Sequence, residues 1–560
     1  MSTVPGAEPD APTPARPEMR DGRIYDRTHP DHPDYSDKID AGVLKIAGVV
    51  VIGAIMSILD ITVVNVALPT FQRVFADGGE ELAYSTVAWT VTAYTLALAT
   101  VIPLTGWAAD RFGTKRLYLI AVALFTLGSA LCAMASTIEM LVFFRVLQGL
   151  GGGMLMPLGM MILTRAAGPE RIGRVMAVLG IPMLLGPIGG PILGGWLIES
   201  FSWHWIFLIN VPIGAIAIVY AWFVLDKDEP VKGQKFDLVG FVLLSPGLAL
   251  FLFGVSSIPE AQSDSSMYTG RVIPATVVGL VLIVGFVFWA LRAKLPLLDL
   301  RLFKNRNMTV AMITFAMFAM AFFGSSILYA QYFIGIRGES TLMAGLLLAP
   351  QGLGAMLTMP IAGVLTDKMG PGKFVMTGLA LITGGMIAFT QLTAETPYWI
   401  LLGSLLIQGL GMGMTMMPTM SAAIRTLAPE SISRGSTLTN IVQQIAASMG
   451  TAIFSVLFTN WLTNAGPAMQ TPQGEKHTGA LAFGLNSSPE AREGGIAMFQ
   501  GETGFGKFLH DNLPFAAEAF GNTYFVAAVL VALCIIPAFF LPRSHEADTE
   551  AAERQMVMPH

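Results

Sequence analysis

The chain has few charged residues and almost no cysteine. Only 13% of its 560 residues are Asp, Glu, Lys or Arg, about half of the roughly 25% that is usual in soluble globular proteins. Its two cysteines, Cys132 and Cys534, lie inside apolar runs, which excludes a disulfide framework of the secreted type. We expect both to be free thiols that pack as small hydrophobic side chains.

Signals for a leader peptide, an enzyme or a metal site are also missing. The first 40 residues are rich in Pro, Asp and Arg and contain no apolar core, so we interpret residues 1–43 as a disordered tail and not as a signal peptide. The seven His residues are scattered, with no HExxH or Cys/His spacing, and no GxSxG motif lies where catalysis would need it. We therefore expect no catalytic residue, no metal, no cofactor and no nucleic-acid partner.

Long apolar segments occupy most of the chain instead. Hydrophobic residues make up 53% of the sequence, and the mean hydropathy is +0.62. A helix of about 20 apolar residues crosses the ~30 Å hydrocarbon core of a bilayer. We predict an all-α membrane protein with fourteen spans, at 45–68, 85–108, 116–136, 139–164, 174–198, 204–225, 237–256, 272–292, 309–331, 342–366, 373–392, 398–420, 436–460 and 522–542.

The basic residues of the loops lie almost entirely on one side of these spans. If the N-terminus is cytoplasmic, the cytoplasmic loops and the C-terminal tail carry twenty Lys and Arg residues, whereas the short loops of the other side carry only Arg73, Arg271 and Arg337. Short loops rich in Lys and Arg stay in the cytoplasm. We therefore expect a plasma-membrane protein with both termini cytoplasmic and with an extracytoplasmic loop at 461–521.

Two parts of the sequence repeat each other. QGLGGGMLMP at 148–157 is echoed by QGLGMGMTMMP at 408–418, and GWAADRFGTKR at 106–116 is echoed by GVLTDKMG at 363–370. The repeat predicts two six-helix halves with a substrate site between them. The halves are 44–225 and 309–542, an inserted two-helix hairpin with its flanking cytoplasmic loops is 226–308, and a C-terminal cytoplasmic tail is 543–560.

These motifs resemble those of the major facilitator superfamily, in particular its fourteen-span drug:proton antiporter branch. The loop at 106–116 resembles the loop signature of the superfamily, and LDITVVNVALP at 59–69 resembles the first-helix signature of the branch. RVLQGLGGG at 145–153, GPIGGPILGG at 186–195 and WHWIFLINVPIG at 203–214 resemble a proton-coupling motif, the antiporter motif and a further motif of the branch. The resemblance implies the major facilitator fold and export of drugs in exchange for protons.

One carboxylate and one guanidinium lie deep inside the apolar spans. An ionised carboxylate such as Asp60 costs about 2.5–3.5 kcal/mol at mid-membrane, so its presence needs a reason. If its surroundings change between two conformations, it can take up a proton on one side and release it on the other. Arg145 has no charged counterpart in the repeat, where Leu405 stands, and the resemblance implies that it couples protonation to substrate movement. The alternatives are a structural Asp60 and an Arg145 that pairs with backbone carbonyls or with Asp60.

A second group of residues is predicted to act in gating. Glycines recur every four residues at Gly186, Gly190 and Gly194, with Pro187 among them, which predicts a close, bent helix contact. We expect that contact to lie between the halves, and the resemblance implies an outer gate there. The repeated loop adds Gly106, Asp110, Arg111, Gly113 and its echo Asp367. Asp110 could accept hydrogen bonds from helix N-termini or from cations when the cytoplasmic side is closed; the alternative is a solvated loop whose basic residues only set the orientation.

Methionine, aromatic and amide side chains are the candidates for a substrate cavity. They are Asn65, Trp89, Tyr94, Gln148, Met154, Gln331, Gln408, Asn440 and Gln443. Flexible thioethers suit ligands of many shapes, although core or lipid-facing packing explains the methionines equally well.

The predicted function is export of amphipathic or hydrophobic compounds across the plasma membrane by alternating access. The proton motive force would drive it without a cofactor, and the chain would act as a monomer in the lipid bilayer. The alternatives are an exporter or flippase of an endogenous lipid or secreted metabolite on the same fold and, more remotely, a membrane sensor that transports nothing.

Overall fold

The computed structural model describes residues 41–76, 82, 84–167, 171–227, 236–258, 268–425, 427, 431–471, 474–499 and 501–543. Most of the two predicted tails, 1–40 and 544–560, lies outside the described residues. The inner end of the N-terminal tail, residues 41–43, belongs to the first helix, because these residues are followed directly by an apolar run.

The helices of the first half and of the insertion follow the predicted order. The first half contains α1 (Ala41–Val74), α2 (Tyr84–Phe112), α3 (Thr114–Ala133), α4 (Ile138–Ala167), α5 (Ile172–Ser200), α6 (Trp205–Leu208) and α7 (Asn210–Val224). The insertion contains α8 (Leu238–Ser256), a π-helical turn (Tyr268–Val272), α9 (Ile273–Arg292) and a 3-10 turn (Leu300–Lys304).

The second half is also helical, with one small hairpin. It contains α10 (Arg306–Gly335), α11 (Thr341–Leu347), α12 (Ala349–Met369), α13 (Pro371–Phe389), α14 (Tyr398–Arg425) and α15 (Ile432–Thr463). It continues with β1 (Ala468–Thr471), β2 (Gly474–His477), α16 (Thr478–Asn486), α17 (Pro489–Met498), α18 (Glu502–Leu533) and α19 (Ile535–Ala538).

The predicted membrane spans are confirmed as long apolar helices. Within the described residues, thirteen helical segments are long and apolar enough to cross a membrane. They match thirteen of the fourteen predicted spans. The remaining prediction, 174–198, coincides with α5, a 29-residue helix whose only charged residues, Arg174 and Glu199, lie near its ends.

The segment 461–521, predicted as a loop, is partly folded. The strands β1 and β2 form an antiparallel hairpin in which Ala468 pairs with His477. The side-chain amide of Asn486 in α16 donates to the carbonyl oxygens of Gly335 (3.0 Å) and Ile336 (3.3 Å), which attaches the segment to the end of α10.

Helix α18 begins at Glu502, twenty residues before the span predicted at 522–542. Its first part is amphipathic, with buried Phe505, Phe508, Leu509 and Leu513 at helical spacing. Because polar residues separate these apolar ones, the average hydropathy of the stretch did not predict a helix.

The sequence repeat is also a repeat of packing. In the first half α4 packs between α2 and α3, and in the second half α14 packs between α12 and α13. Glycines bring the paired helices close at equivalent places. A Cβ built on Gly128 would lie 2.7 Å from the backbone nitrogen of Gln148, and one built on Gly385 would lie 2.6 Å from Cγ of Gln408.

The inserted hairpin contacts both halves. Helix α8 packs against α9, against α2 of the first half and against α15 of the second half. One hydrophobic cluster joins Leu244 and Leu248 of α8 to Ile102 of α2 and Ile441 of α15. The hairpin therefore covers one of the seams between the halves.

We expect Gly385→Ala to lower the free energy of unfolding by about 1–3 kcal/mol, because the added methyl group overpacks a close helix contact. Its Cβ would lie 2.6 Å from Cγ of Gln408 and 2.8 Å from the carbonyl oxygen of Ser404. The matched control is the neighbouring Gly384→Ala, whose Cβ would have no heavy atom within 4 Å. Thermal unfolding of the purified variants in detergent checks this, and equal losses in both variants would contradict the packing.

Candidate functional site

The buried charges of the first half form one hydrogen-bonded cluster. Asp60 of α1 is 2% exposed and Arg145 of α4 is 0% exposed. Arg145 Nη1 donates to Asp60 Oδ2 and, at 2.8 Å, to Gln148 Oε1. Gln148 Nε2 donates to Asp60 Oδ1 at 2.7 Å. Each carboxylate oxygen therefore has a donor, and Gln148 joins the two charges.

The helix period places two of these side chains side by side. Arg145 and Gln148 are three residues apart on α4, so they project from the same face toward Asp60. Arg145 is therefore paired with Asp60, which is one of the alternatives given by the sequence analysis. It also places Gln148, a predicted cavity residue, between the two charged groups.

A serine and an asparagine support this cluster from the next helices. Ser129 Oγ of α3 accepts from Gln148 Nε2 (3.1 Å) and from Asn210 Nδ2 of α7 (3.1 Å), and it donates to the carbonyl oxygen of Phe207 (3.0 Å). The sequence analysis assigned a role to neither Ser129 nor Asn210. Their signal was weak: each is an uncharged polar residue inside an apolar span.

The guanidinium has further partners besides Asp60. Arg145 Nε donates to the carbonyl oxygen of Thr90 at 2.9 Å. The ring of Tyr94 lies 4.1 Å from Arg145 Cζ, and the ring of Phe207 lies 5.9 Å from it. The predicted cavity residue Tyr94 is therefore part of the charge cluster.

The arrangement can hold or release one proton. With Asp60 ionised, the pair is formally neutral, which makes burial of both charges tolerable. Removing one partner of such a pair typically costs about 3–5 kcal/mol. Protonation of Asp60 would change the formal charge of the cluster from zero to +1. In the described part of the chain, no three His, Cys, Asp or Glu side chains are grouped so that they could hold a metal ion.

A second set of polar contacts joins the two halves. It lies at the basic end of the bundle, which we define as the end that carries Arg111, Arg165, Arg174, Lys368 and Arg425. There Asp110 of α2 accepts a hydrogen bond from Ser433 Oγ in the first turn of α15 (2.9 Å). Its other oxygen, Asp110 Oδ1, lies 3.5 Å from Arg165 Nη2.

The repeated aspartate makes the mirrored contact. Asp367 of α12 accepts from the backbone N–H groups of Gly173 (2.9 Å) and Arg174 (3.2 Å), in the first turn of α5. It also forms an ion pair with Arg174 Nε at 3.2 Å. The positive end of the α5 dipole stabilises this carboxylate. Each half thus presents an aspartate to the start of a helix in the other half.

Glycines of the repeated loop allow the close approach of the halves and the tight turns at the basic end. A Cβ built on Gly106 would lie 2.9 Å from Thr437 Oγ1 of the other half, so a larger residue would push α2 away from α15. Gly113 and Gly370 have φ of 89° and 81°, which favours glycine at the tight turns before α3 and α13. The side chain of Arg111 is exposed.

The glycine face of α5 packs on α1 of its own half, which corrects our prediction that this face meets the other half. A Cβ on Gly186 would meet Ile58, one on Gly190 would meet Thr62, and one on Gly194 would lie 3.1 Å from Val63 Cγ1. All three neighbours belong to α1 of the same half, on the turns around Asp60. Spacing predicts a face of small residues but not which helix that face meets. The side chain of Pro187 lies outside the described residues.

The remaining cavity candidates are dispersed. Trp89 stacks on Phe253 of α8 at 5.7 Å, and Gln408 accepts from the Tyr329 hydroxyl. Met154 is buried in the core of the first half, and Asn440 donates to the carbonyl oxygen of Ser436 at 2.9 Å. Asn65 is exposed, and Gln331 and Gln443 are half-buried. These residues lie on α1, α2, α4, α10, α14 and α15, and their role in a cavity stays a prediction.

Comparisons with known proteins agree with this fold. The family model described as Major Facilitator Superfamily matches residues 50–451. The chain is 45% identical over 554 residues to a Mycobacterium tuberculosis protein called multidrug resistance protein B homolog, which covers 97% of each chain. It is 31% identical over 411 residues to the multidrug export protein EmrB of Escherichia coli strain K12, covering 72% of this chain and 78% of the relative.

A solved structure shows the same fold at low sequence identity. The crystal structure of the human organic anion transporter MFSD10 (TETRAN) aligns with a TM-score of 0.57 at 13% identity, covering 87% of this chain and 99% of that one. An identity this low supports the architecture alone.

We expect Asp367→Asn to loosen the basic end, because the first turn of α5 loses an anionic partner worth about 1 kcal/mol, or roughly fivefold in an equilibrium. Ala177→Cys supplies a reporter: Ala177 is 4% exposed, and its Cβ would lie 3.2 Å from a Cβ built on Gly363 of α12. Maleimide labelling of the introduced thiol should become about fivefold faster in the Asp367→Asn background. The control is Lys368→Gln, which changes an exposed neighbour and should leave the labelling rate unchanged. Equal labelling rates with and without Asp367→Asn would contradict a role for the Asp367 contact.

Proposed function

The chain belongs to the Major Facilitator Superfamily, a family of membrane transporters, and on that premise we propose that it is a proton-coupled antiporter that exports amphipathic or hydrophobic compounds. The observation that carries the proposal is the bond between Asp60 and Arg145, both buried in the membrane-spanning part of the first half. The names of two relatives, a multidrug resistance protein and a multidrug export protein, support drugs as the substrate class.

The asymmetry of the two halves supports a role for this pair in transport. Gln148 and Gln408 occupy equivalent places, each beside a glycine of the neighbouring helix. The partner of Gln148 on α1 is Asp60, whereas the partner of Gln408 on α10 is the neutral Tyr329. The fold therefore repeats the hydrogen-bonding frame without repeating the charges, so the charges serve something other than the fold.

The proposed cycle alternates a proton and a substrate. A proton from outside neutralises Asp60, the cluster becomes positive, and a bound amphipathic or cationic compound leaves to the outside. The halves then exchange which end is closed, and Asp60 releases its proton inside. One elementary charge moving through 100 mV supplies about 2.3 kcal/mol, so a small number of protons suffices to drive export.

The contacts of the basic end fit the closed side of such a cycle. We place the basic end in the cytoplasm of a plasma-membrane protein, with both termini on that side. The contacts of Asp110 and Asp367 with the opposite half then hold the cytoplasmic side shut. We further propose that the monomer is the transporting unit and that the proton motive force is its energy source.

Transport in proteoliposomes tests the coupling. With an imposed pH gradient, wild-type protein should move ethidium, a lipophilic cation, against its concentration. Asp60→Asn should lower gradient-driven transport at least about tenfold, since the neutral side chain can no longer exchange a proton. The control is Glu518→Gln, which removes an exposed carboxylate of α18 and should leave transport unchanged.

Two outcomes would overturn the proposal. The first is ethidium flux that does not depend on the pH gradient. The second is gradient-driven transport in Asp60→Asn that equals that of the wild type. A parallel assay with a fluorescent phospholipid separates the substrate classes: gradient-driven movement of the lipid without movement of ethidium would favour an endogenous lipid exporter.

A further inference from the structure

We propose that Tyr94 is a positioning residue that holds Arg145 in place as a cation while Asp60 is protonated. The proton-loaded site would then keep a buried positive charge. The contribution of Tyr94 to the site rests on geometry, and its contribution to transport rests on the proposed function.

The partners of Arg145 other than Asp60 are all uncharged. Two are oxygens, the carbonyl oxygen of Thr90 at 2.9 Å and Gln148 Oε1 at 2.8 Å. The third is the ring of Tyr94, 4.1 Å from Cζ, and Phe207 lies farther off at 5.9 Å. Arg145 Nη2 is buried and donates no hydrogen bond within the described part of the chain. A ring at this distance attracts a desolvated guanidinium through its negative face.

The local sequence of α4 makes room for this ring. Tyr94 of α2 is 0% exposed, and its hydroxyl lies 3.3 Å from Ser57 Oγ of α1. A Cβ built on Gly152 would lie 2.5 Å from the Tyr94 hydroxyl oxygen, and one on Gly149 would lie 2.6 Å from the Tyr94 carbonyl oxygen. Glycine at 149 and 152 therefore lets α2 and its tyrosine reach the guanidinium.

The ring acts differently on the two protonation states of Asp60. While Asp60 is ionised, the ring meets a neutral ion pair, and its attraction for the cation is partly cancelled by repulsion of the carboxylate. After Asp60 takes a proton, the full positive charge of Arg145 acts on the ring. Tyr94 therefore stabilises the protonated state more than the ionised state, and it helps Asp60 to accept a proton beside a fixed cation.

Among the described residues, few titratable groups belong to the cluster or face it. From α1, α2, α3 and α4 these are Asp60, Tyr94, Cys132 and Arg145, with Cys132 Sγ 3.6 Å from Gln148 Oε1. Helix α5 packs on α1 but has no charged residue between Arg174 and Glu199, and α7 has none at all. The charge of the cluster thus follows the protonation of Asp60.

This arrangement also bears on the class of substrate. With Arg145 held in place, the cluster is neutral without the proton and carries +1 with it. A lipophilic cation near the cluster is therefore repelled when the proton arrives. An uncharged compound would not feel this difference, so coupling should be tighter for cations than for neutral compounds of similar shape.

The test follows protonation of Asp60 directly, without transport. Infrared difference spectra of the purified full chain, recorded during acidification, should show a carboxyl C=O band that is absent in Asp60→Asn. In Tyr94→Phe, which keeps the ring, the midpoint pH of this band should match the wild type. In Tyr94→Leu, which removes the ring, the midpoint should move down by about one pH unit, a tenfold weaker affinity for the proton.

The outcomes separate the proposal from a merely structural role. A lowered thermal stability of Tyr94→Leu with an unmoved midpoint would overturn it, and so would an equal shift in Tyr94→Phe and Tyr94→Leu. If Tyr94→Leu does not fold, Gly152→Ala, which pushes on the Tyr94 hydroxyl, should also lower the midpoint, and no shift there would count against the proposal. Because the band is read without substrate, a failure of the antiporter assignment would appear only in the proteoliposome assay.

Discussion

The ion pair between Asp60 and Arg145 is the constraint on which the rest of the first half depends. Two charges can remain in a dry helix bundle only if each has hydrogen-bond partners and a counter-charge nearby. The surrounding residues supply these: Gln148 bonds to both charges, and Ser129 bonds to Gln148. Glycines also bring α3 and α5 close to the residues around the pair, since a Cβ built on Gly128 would lie 2.7 Å from the backbone nitrogen of Gln148 and one on Gly190 would meet Thr62.

The second half shows what the fold looks like without this constraint. Its equivalent glutamine, Gln408, bonds to Tyr329, whose ring stacks on Tyr524 at 4.9 Å. Aromatic packing replaces the ion pair there. The inter-half contacts, in contrast, are present in both copies, with Asp110 and Asp367 each at the start of a helix in the other half. The repeat therefore includes the contacts between the halves but not the buried ion pair of Asp60 and Arg145.

Much of this could be predicted from the sequence, for physical reasons. The thickness of the bilayer sets the length and composition of a span, so the spans could be located, although α18 begins twenty residues before its predicted start. Asp60 and Arg145 were identifiable because a charge in an apolar run is costly. Side-chain partners were harder to predict: nothing in the sequence indicated that Gln148 and Tyr94 contact the ion pair. Ser129 and Ser433 escaped notice because a serine in a helix often bonds only its own backbone.

The inserted hairpin has a mechanical consequence for the movement of the two halves. Its helix α8 shares one hydrophobic cluster with α2 and α15, and α5 meets α12 at another contact between the halves. If this cluster stays intact while the halves rearrange, one half rotates relative to the other about an axis through the cluster. The larger displacement then falls on the far side, at α5 and α12. Since the glycine face of α5 packs on the turns of α1 around Asp60, the helix that travels farthest is the one beside the segment that carries the proposed proton-binding carboxylate.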